Sequence, residues 1–244
     1  MIVLEHVSKR FKSKEKKYIG KYVLRSLFFK MVALLKRERI ETGYDTILKD
    51  ISITIKPGEH VGVLGRNKAG KTTLLQLLSG ITEPSSGKLR VEGDIIQVFA
   101  QGDILGDLTG REYIYLHGTA LGKSKHMVAE HEEQIIAFSE IQTIDTPVKF
   151  YSTGMRTRLA ISVALHLPAD IYVLDEVFSG SDIFFKEKVI RYLQQILTGK
   201  TLIIVSHHED IIRSFCKRLI LLENGLIKMD GPIDEVMPVY KKHE

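Results

Sequence analysis

The chain has 244 residues, 44% of them hydrophobic and 27% charged, with a formal net charge of +5. That length supports one large domain, or one domain with an inserted lobe, around a real core. The lone Cys216 excludes a disulfide framework, and no apolar run reaches the roughly eighteen residues needed to cross a bilayer.

The positive charge is local. Residues 9–39 hold twelve Lys/Arg and two Glu, so the remainder is net negative. A nucleic-acid binder more often spreads a basic face over its fold, so no nucleic-acid partner is expected. Residues 1–6 lack the basic-then-apolar pattern of a signal peptide. The expectation is a cytosolic protein, or one peripheral to a membrane.

Residues 2–7 alternate weakly, which predicts an edge strand, and Phe11 follows. Residues 12–44 then interrupt the pattern. The polar stretch 12–17 leads into a predicted helix over 22–39. There Leu24, Leu27, Phe28, Met31, Leu34 and Leu35 recur at three- and four-residue spacing among five Lys/Arg. A basic amphipathic helix suits a membrane surface or a partner's groove; the same pattern also suits a helix packed on its own domain with a solvated basic face. We expect the first, at the cytoplasmic membrane surface.

Residues 47–55 alternate as a strand, and Lys56-Pro57-Gly58-Glu59 turns the chain into a short buried strand, Val61-Gly62-Val63-Leu64. Next comes Gly65-Arg66-Asn67-Lys68-Ala69-Gly70-Lys71-Thr72-Thr73, with the spacing G-x-x-x-x-G-K-[ST]. A helix from Thr73 to Leu78, closed by Gly80, completes the strand–turn–helix context this motif needs. A glycine-rich turn there aims backbone N–H groups and the positive helix end at a phosphate. Lys71 adds a mobile charge for the β- and γ-phosphates, and the Thr72 hydroxyl can ligate Mg²⁺. Lys68 stands where many such loops carry Gly. Lysine tolerates positive φ poorly, so either the turn relaxes there or nucleotide affinity is altered.

A turn at 83–87 precedes a strand through Leu89 and Val91, and a further strand over 95–99 leads to Gln101. Helical patterns over 110–121, 124–140 and 154–167 predict a helical lobe inserted in an α/β core. The apolar strand 171–174 ends in Asp175-Glu176. Asp175 can hold Mg²⁺, and Glu176 can polarise an attacking water. A helix at 183–197 and a strand at 202–205 follow, the strand ending in Ser206-His207-His208. His207 then falls on the sheet edge where open α/β sheets bind ligands. A helix at 209–216, a hairpin turning at Asn224-Gly225 and a short helix end the chain.

This order of motifs resembles the ATP-binding subunit of an ABC transporter over nearly the whole chain. Tyr151-Ser152-Thr153-Gly154-Met155 stands at the family's signature sequence, where Ser152 and Gly154 match the usual pattern and Thr153 and Met155 depart from it. Asp182 matches the acid of the D-loop, His207 the switch histidine, and Gln101 the Q-loop glutamine. Phe11 stands as the aromatic that stacks on adenine, with Tyr44 as the alternative. The resemblance implies a P-loop NTPase of α/β class. It would have a RecA-like core, an antiparallel β subdomain and an inserted helical subdomain at 108–169, forming one ATPase domain over 1–244 with a basic insertion at 12–44.

Within that family, Leu108-Thr109-Gly110-Arg111-Glu112, the Tyr-Ser-x-Gly-Met signature and Asp175-Glu176-Val177 followed by Gly180-Ser181-Asp182 resemble exporters of teichoic acids, O-antigens and capsular polysaccharides. In that group Met155 is expected. Some members carry a basic insertion before the strand at 47–55, and several carry an extra C-terminal domain, which is not expected here. The resemblance implies a head-to-tail pair of copies, with each ATP held by the loop of one and by Ser152 and Gly154 of the other. Lys71, Glu176 and His207 would be catalytic; Thr72, Asp175 and Gln101 would arrange Mg²⁺, partly through water; and Asp182 would link the two sites. An ABC-2-type membrane permease would be the transport partner. The alternatives are an importer or drug-exporter ATPase, or a soluble ABC module acting away from membranes.

Overall fold

A computed structural model describes residues 1–12, 44–99, 106–178 and 182–242. The predicted helix over 22–39, Gln101 and residues 179–181 lie outside these. Among the described residues no helix is long and apolar enough to cross a membrane.

Strands β1 (Ile2–Lys12), β2 (Tyr44–Ile55) and β4 (Ser86–Val91) form an antiparallel sheet in the order β2-β1-β4. The first strand is therefore central, not at an edge. Ile2 pairs with Ile55 on one side and Val91 on the other, and Ile2, Leu4 and Val7 are buried. Its weak alternation has a local cause. His6 has φ 52°, and the register shifts between Leu4 and Val7; a bulge there breaks the period of two. Gly87 of β4 fits against this bulge because a Cβ would meet the His6 carbonyl.

The main sheet has the order β5-β6-β7-β3-β8-β9. It comprises β3 (His60–Leu64), β5 (Ile95–Phe99), β6 (Ile171–Asp175), β7 (Thr201–Val205), β8 (Arg218–Glu223) and β9 (Leu226–Pro232). The first five in space are parallel, and β9 returns antiparallel. Asn224 at φ 52° and Gly225 at φ 80° make its hairpin turn, two left-handed residues as a type I′ turn requires. The near-continuous apolar runs of β3, β6 and β7 reflect cover on both faces.

Side chains alternate between those two faces. Val61, Val63, Val173, Ile203 and Val205 pack with α1 (Lys71–Leu78) and the antiparallel sheet. Leu64, Leu174, Leu202 and Ile204 face the other core. That core takes in α2 (Gly110–Ala120), α3 (Lys125–Ser139), α4 (Thr153–His166), α5 (Ile183–Ile196), α6 (Glu209–Phe215) and α7 (Ile233–Lys241). Helices α2, α3 and α4 pack on one another, their starts fixed by side chains. Thr109 and Glu112 form a capping box, Ser124 accepts from Met127 N–H, and Ser152 accepts from Met155 N–H. The β3, β6 and β7 registers align Val63 with Val205 and Val205 with Asp175. Three strand ends thus reach one edge of the sheet together.

Candidate functional site

The loop after β3 turns on residues that only small or strained backbones allow. Gly65 has φ 154°, and a Cβ there would sit against the Leu222 carbonyl; Gly70 has φ 109°, and a Cβ would meet the Leu48 side chain. Lys68 has φ 69°. The turn has not relaxed around the lysine; it holds it in the left-handed region, at a cost of about 1–2 kcal/mol against glycine. Inside the loop Ala69 N–H donates to the Arg66 carbonyl at 3.1 Å, and from outside Gly225 N–H donates to the Ala69 carbonyl at 3.1 Å.

Helix α1 differs from its neighbours at its start. Its N-cap, Gly70, supplies no side-chain acceptor, and its first turn carries no acid. Its leading N–H groups are left for a ligand, whereas those of α2, α3, α4 and α5 have a side-chain cap.

A pocket of about 480 Å³ opens at this point, lined by residues 67–73, Asp175, Glu176, Val205, His207, Phe11 and Ile47. The ends of β3, β6 and β7 converge in it. Phe11, 40% exposed, lines it, and Tyr44 is not among its lining residues. Lys71 Nζ donates to the carbonyls of Gly65 at 2.5 Å and Arg66 at 3.2 Å. Burial holds its pKa below the ordinary lysine value, against the opposing pull of Glu176 and Asp175. Burial, with the Glu176 charge beside it, raises Asp175, and Lys71 only partly offsets this. Two adjacent carboxylates with one ammonium in the same pocket leave a hard-oxygen donor set short of positive charge. Thr72 and Asp175 line the same pocket, so the residues fit a Mg²⁺ shared with bound phosphates.

Glu176 is itself in the left-handed region, at φ 51°, its N–H donating to the Val205 carbonyl at 3.0 Å. Strain of this kind persists where surrounding structure over-determines it and clusters at functional sites. His207 Nε2 lies 3.3 Å from Glu176 Oε1, and Nδ1 lies 3.3 Å from the Tyr240 hydroxyl.

The remaining sequence-derived residues lie elsewhere. Residues 152–155 do not line the pocket. Ser152 caps α4, and the space around Gly154 is open: a Cβ there would come no closer than 3.8 Å to Ser152 Oγ. Asp182 caps α5 by accepting from Phe185 N–H at 3.0 Å, and its other oxygen takes a hydrogen bond from Arg158. These two bonds, the backbone one first, hold its pKa below the ordinary value. Ile47, Val205, Gly225 and Tyr240 belong to the site's surroundings, though the sequence did not mark them as site residues. Only Gly225 carried a signal, as the second residue of an Asn-Gly turn.

A family model described as "ABC transporter" matches residues 48–179. The chain belongs to the ABC transporter family. Among ABC relatives, the O-antigen export system ATP-binding protein RfbB of Klebsiella pneumoniae is 36% identical over 198 residues, which cover 80% of each chain. The teichoic acids export ATP-binding protein TagH of Bacillus anthracis is 34% identical over 242 residues, 98% of this chain and 42% of that protein. The chain spans half the length or less of several of the curated relatives it matches. A solved ABC structure, the dimeric ATP-binding cassette MJ0796 in a post-hydrolysis state with ADP and Pi, superposes with a TM-score of 0.74 at 21% identity. It covers 96% of this chain and 99% of that one, a likeness of fold.

Proposed function

We propose that this chain is the ATP-hydrolysing subunit of an exporter that moves a lipid-linked polysaccharide or teichoic acid through a separate ABC-2-type permease. The observation that carries the ATPase reading is the convergence of three strand ends on one pocket. The phosphate loop, the Asp175-Glu176 pair and His207 all line it. The names of the relatives support the exported polymer.

In this reading the α1 amides and Lys71 hold the β/γ-phosphates, and Phe11 stacks on the adenine. Thr72, Asp175 and Gln101 would hold Mg²⁺, partly through water, and the ion would supply charge neutralisation at the phosphates. Glu176 takes the proton of the attacking water, and His207 donates Nε2–H to a γ-phosphate oxygen. Catalysis is mostly positioning and charge stabilisation. A second copy, packed head to tail, brings Ser152, Thr153, Gly154 and Met155 to the phosphates. That agrees with their position outside the pocket of their own chain. Asp182 links the paired sites, and residues 108–169 meet the permease. The assembly sits on the cytoplasmic face of the cell membrane, with 22–39 at the lipid surface.

Purification from native membranes tests this. A membrane permease that co-purifies, and an ATPase rate that responds to a lipid-linked glycan, are expected. Recovery with an importer's permease, or away from membranes altogether, would replace the export reading.

A further inference from the structure

The active-site edge of the fold receives one side chain from far away in sequence. Tyr240 sits near the end of α7, with 7% of its surface exposed. Its hydroxyl is 3.3 Å from His207 Nδ1, while Nε2 of the same ring faces Glu176 at 3.3 Å. The ring thus has a hydroxyl in hydrogen-bond contact with one nitrogen, and a carboxylate oxygen close to the other without a hydrogen bond between them.

We infer that Tyr240 is a positioning residue for ATP hydrolysis, fixing His207 as the neutral tautomer with its proton on Nε2. The inference rests on the role given to His207 above. A tyrosine hydroxyl can donate or accept, but for a neutral ring only one choice suits both ends. If Tyr240 donates to Nδ1, the ring proton sits on Nε2, at the wall of the pocket and 3.3 Å from Glu176 Oε1. If Tyr240 accepts from Nδ1–H, the Nε2 lone pair faces a carboxylate, and no donor is left for a phosphate oxygen. The bond made by one imidazole nitrogen sets the state of the other.

The helix that carries Tyr240 is anchored for this task. Its own Val236 and Met237 are buried against the core. Asp234 pairs with Arg213 at 2.8 Å, and Lys241 pairs with Glu209 at 2.5 Å. Both partners are on α6, which begins two residues after His207. The loop between is tied as well: Ser206 is buried, and its hydroxyl accepts from His208 N–H at 3.1 Å. The C-terminal helix therefore holds the backbone after the histidine as well as its ring.

Tyr240→Phe removes the hydroxyl and keeps the packing. It should lower kcat for ATP about three- to tenfold, the worth of one hydrogen bond, with KM for ATP changed less than about twofold. In a His207→Ala background the same change should have no further effect on single-turnover rate, since the residues act as one unit. ¹⁵N spectra of labelled histidine at about pH 8, where free imidazole is neutral, should show His207 protonated at Nε2 in the wild type and mixed in Tyr240→Phe. A wild-type kcat in Tyr240→Phe, an equal loss without His207, or an unchanged tautomer would each overturn the inference alone. Unchanged turnover in His207→Ala would overturn the role of His207 itself, and this inference with it.

Discussion

Glu176 Oε1 and His207 Nε2, from the ends of adjacent parallel strands, stand 3.3 Å apart. Carboxylate and imidazole therefore share one wall of the pocket. In the proposed reaction a γ-phosphate oxygen accepts the histidine Nε2–H, and the carboxylate is left to the attacking water. His207→Ala should then lower ATP turnover by about 10²-fold or more while ATP still binds, as loss of a charge-stabilising donor does in other enzymes. Steady-state kinetics beside equilibrium nucleotide binding separates the two effects.

Lys68 carries two separable effects, backbone strain and charge. Lys68→Gly should raise stability by about 1 kcal/mol, because glycine takes φ 69° freely. Lys68→Met keeps the strain and removes the charge. If the ammonium acts on the phosphates, both variants should weaken ATP binding by a similar amount, about 0.5–1 kcal/mol for an exposed charge, and reduce its salt dependence. Melting curves and ATP titrations at two salt concentrations check both halves.

Gly225 connects the β8–β9 hairpin to the phosphate loop. Its N–H bonds the Ala69 carbonyl at 3.1 Å, its carbonyl accepts from Lys49 N–H at 2.8 Å, and a Cβ would sit against the Ile47 carbonyl. Gly225→Ala should cost about 2 kcal/mol or more through strain and a forced backbone shift. It should also raise KM for ATP, because the loop loses its external hydrogen bond. Thermal unfolding and ATP kinetics on the same variant test the pairing of effects.

Asp175 gives a pH signature. Its folded pKa is raised above the unfolded value, by burial first and then by Glu176. The stability it contributes is present below the unfolded pKa and lost as pH rises through the folded one. Asp175→Asn should therefore match the wild type in Tm at low pH and exceed it at neutral pH in the absence of nucleotide, while ATP turnover collapses. Tm measured from about pH 3 to pH 7 follows the divergence.

Much of this site was legible because its signals are local. The glycines at 65 and 70 with Lys71 fix a phosphate turn within nine residues. Apolar runs ending in Asp175-Glu176 and in His207 mark strands whose ends meet at one edge. What was not legible depends on distant partners. The first strand reads as an edge because the bulge at His6 breaks its alternation, and its second neighbour, β4, comes some eighty residues later. Tyr240 gives only a helix pattern in sequence; its contact with His207 exists only once α7 has folded back over β8. The backbone of Lys68 was posed by its residue type, and the fold decided it in favour of strain.

Glu176→Gln tests the central claim most directly. The amide keeps the size of the side chain and removes the base. With ATP and Mg²⁺, light scattering should show a stable dimer with ATP bound, and steady-state turnover should fall by about 10²-fold or more. Hydrolysis near the wild-type rate, or a monomer in saturating ATP, would contradict an ATP site completed by two copies of this chain.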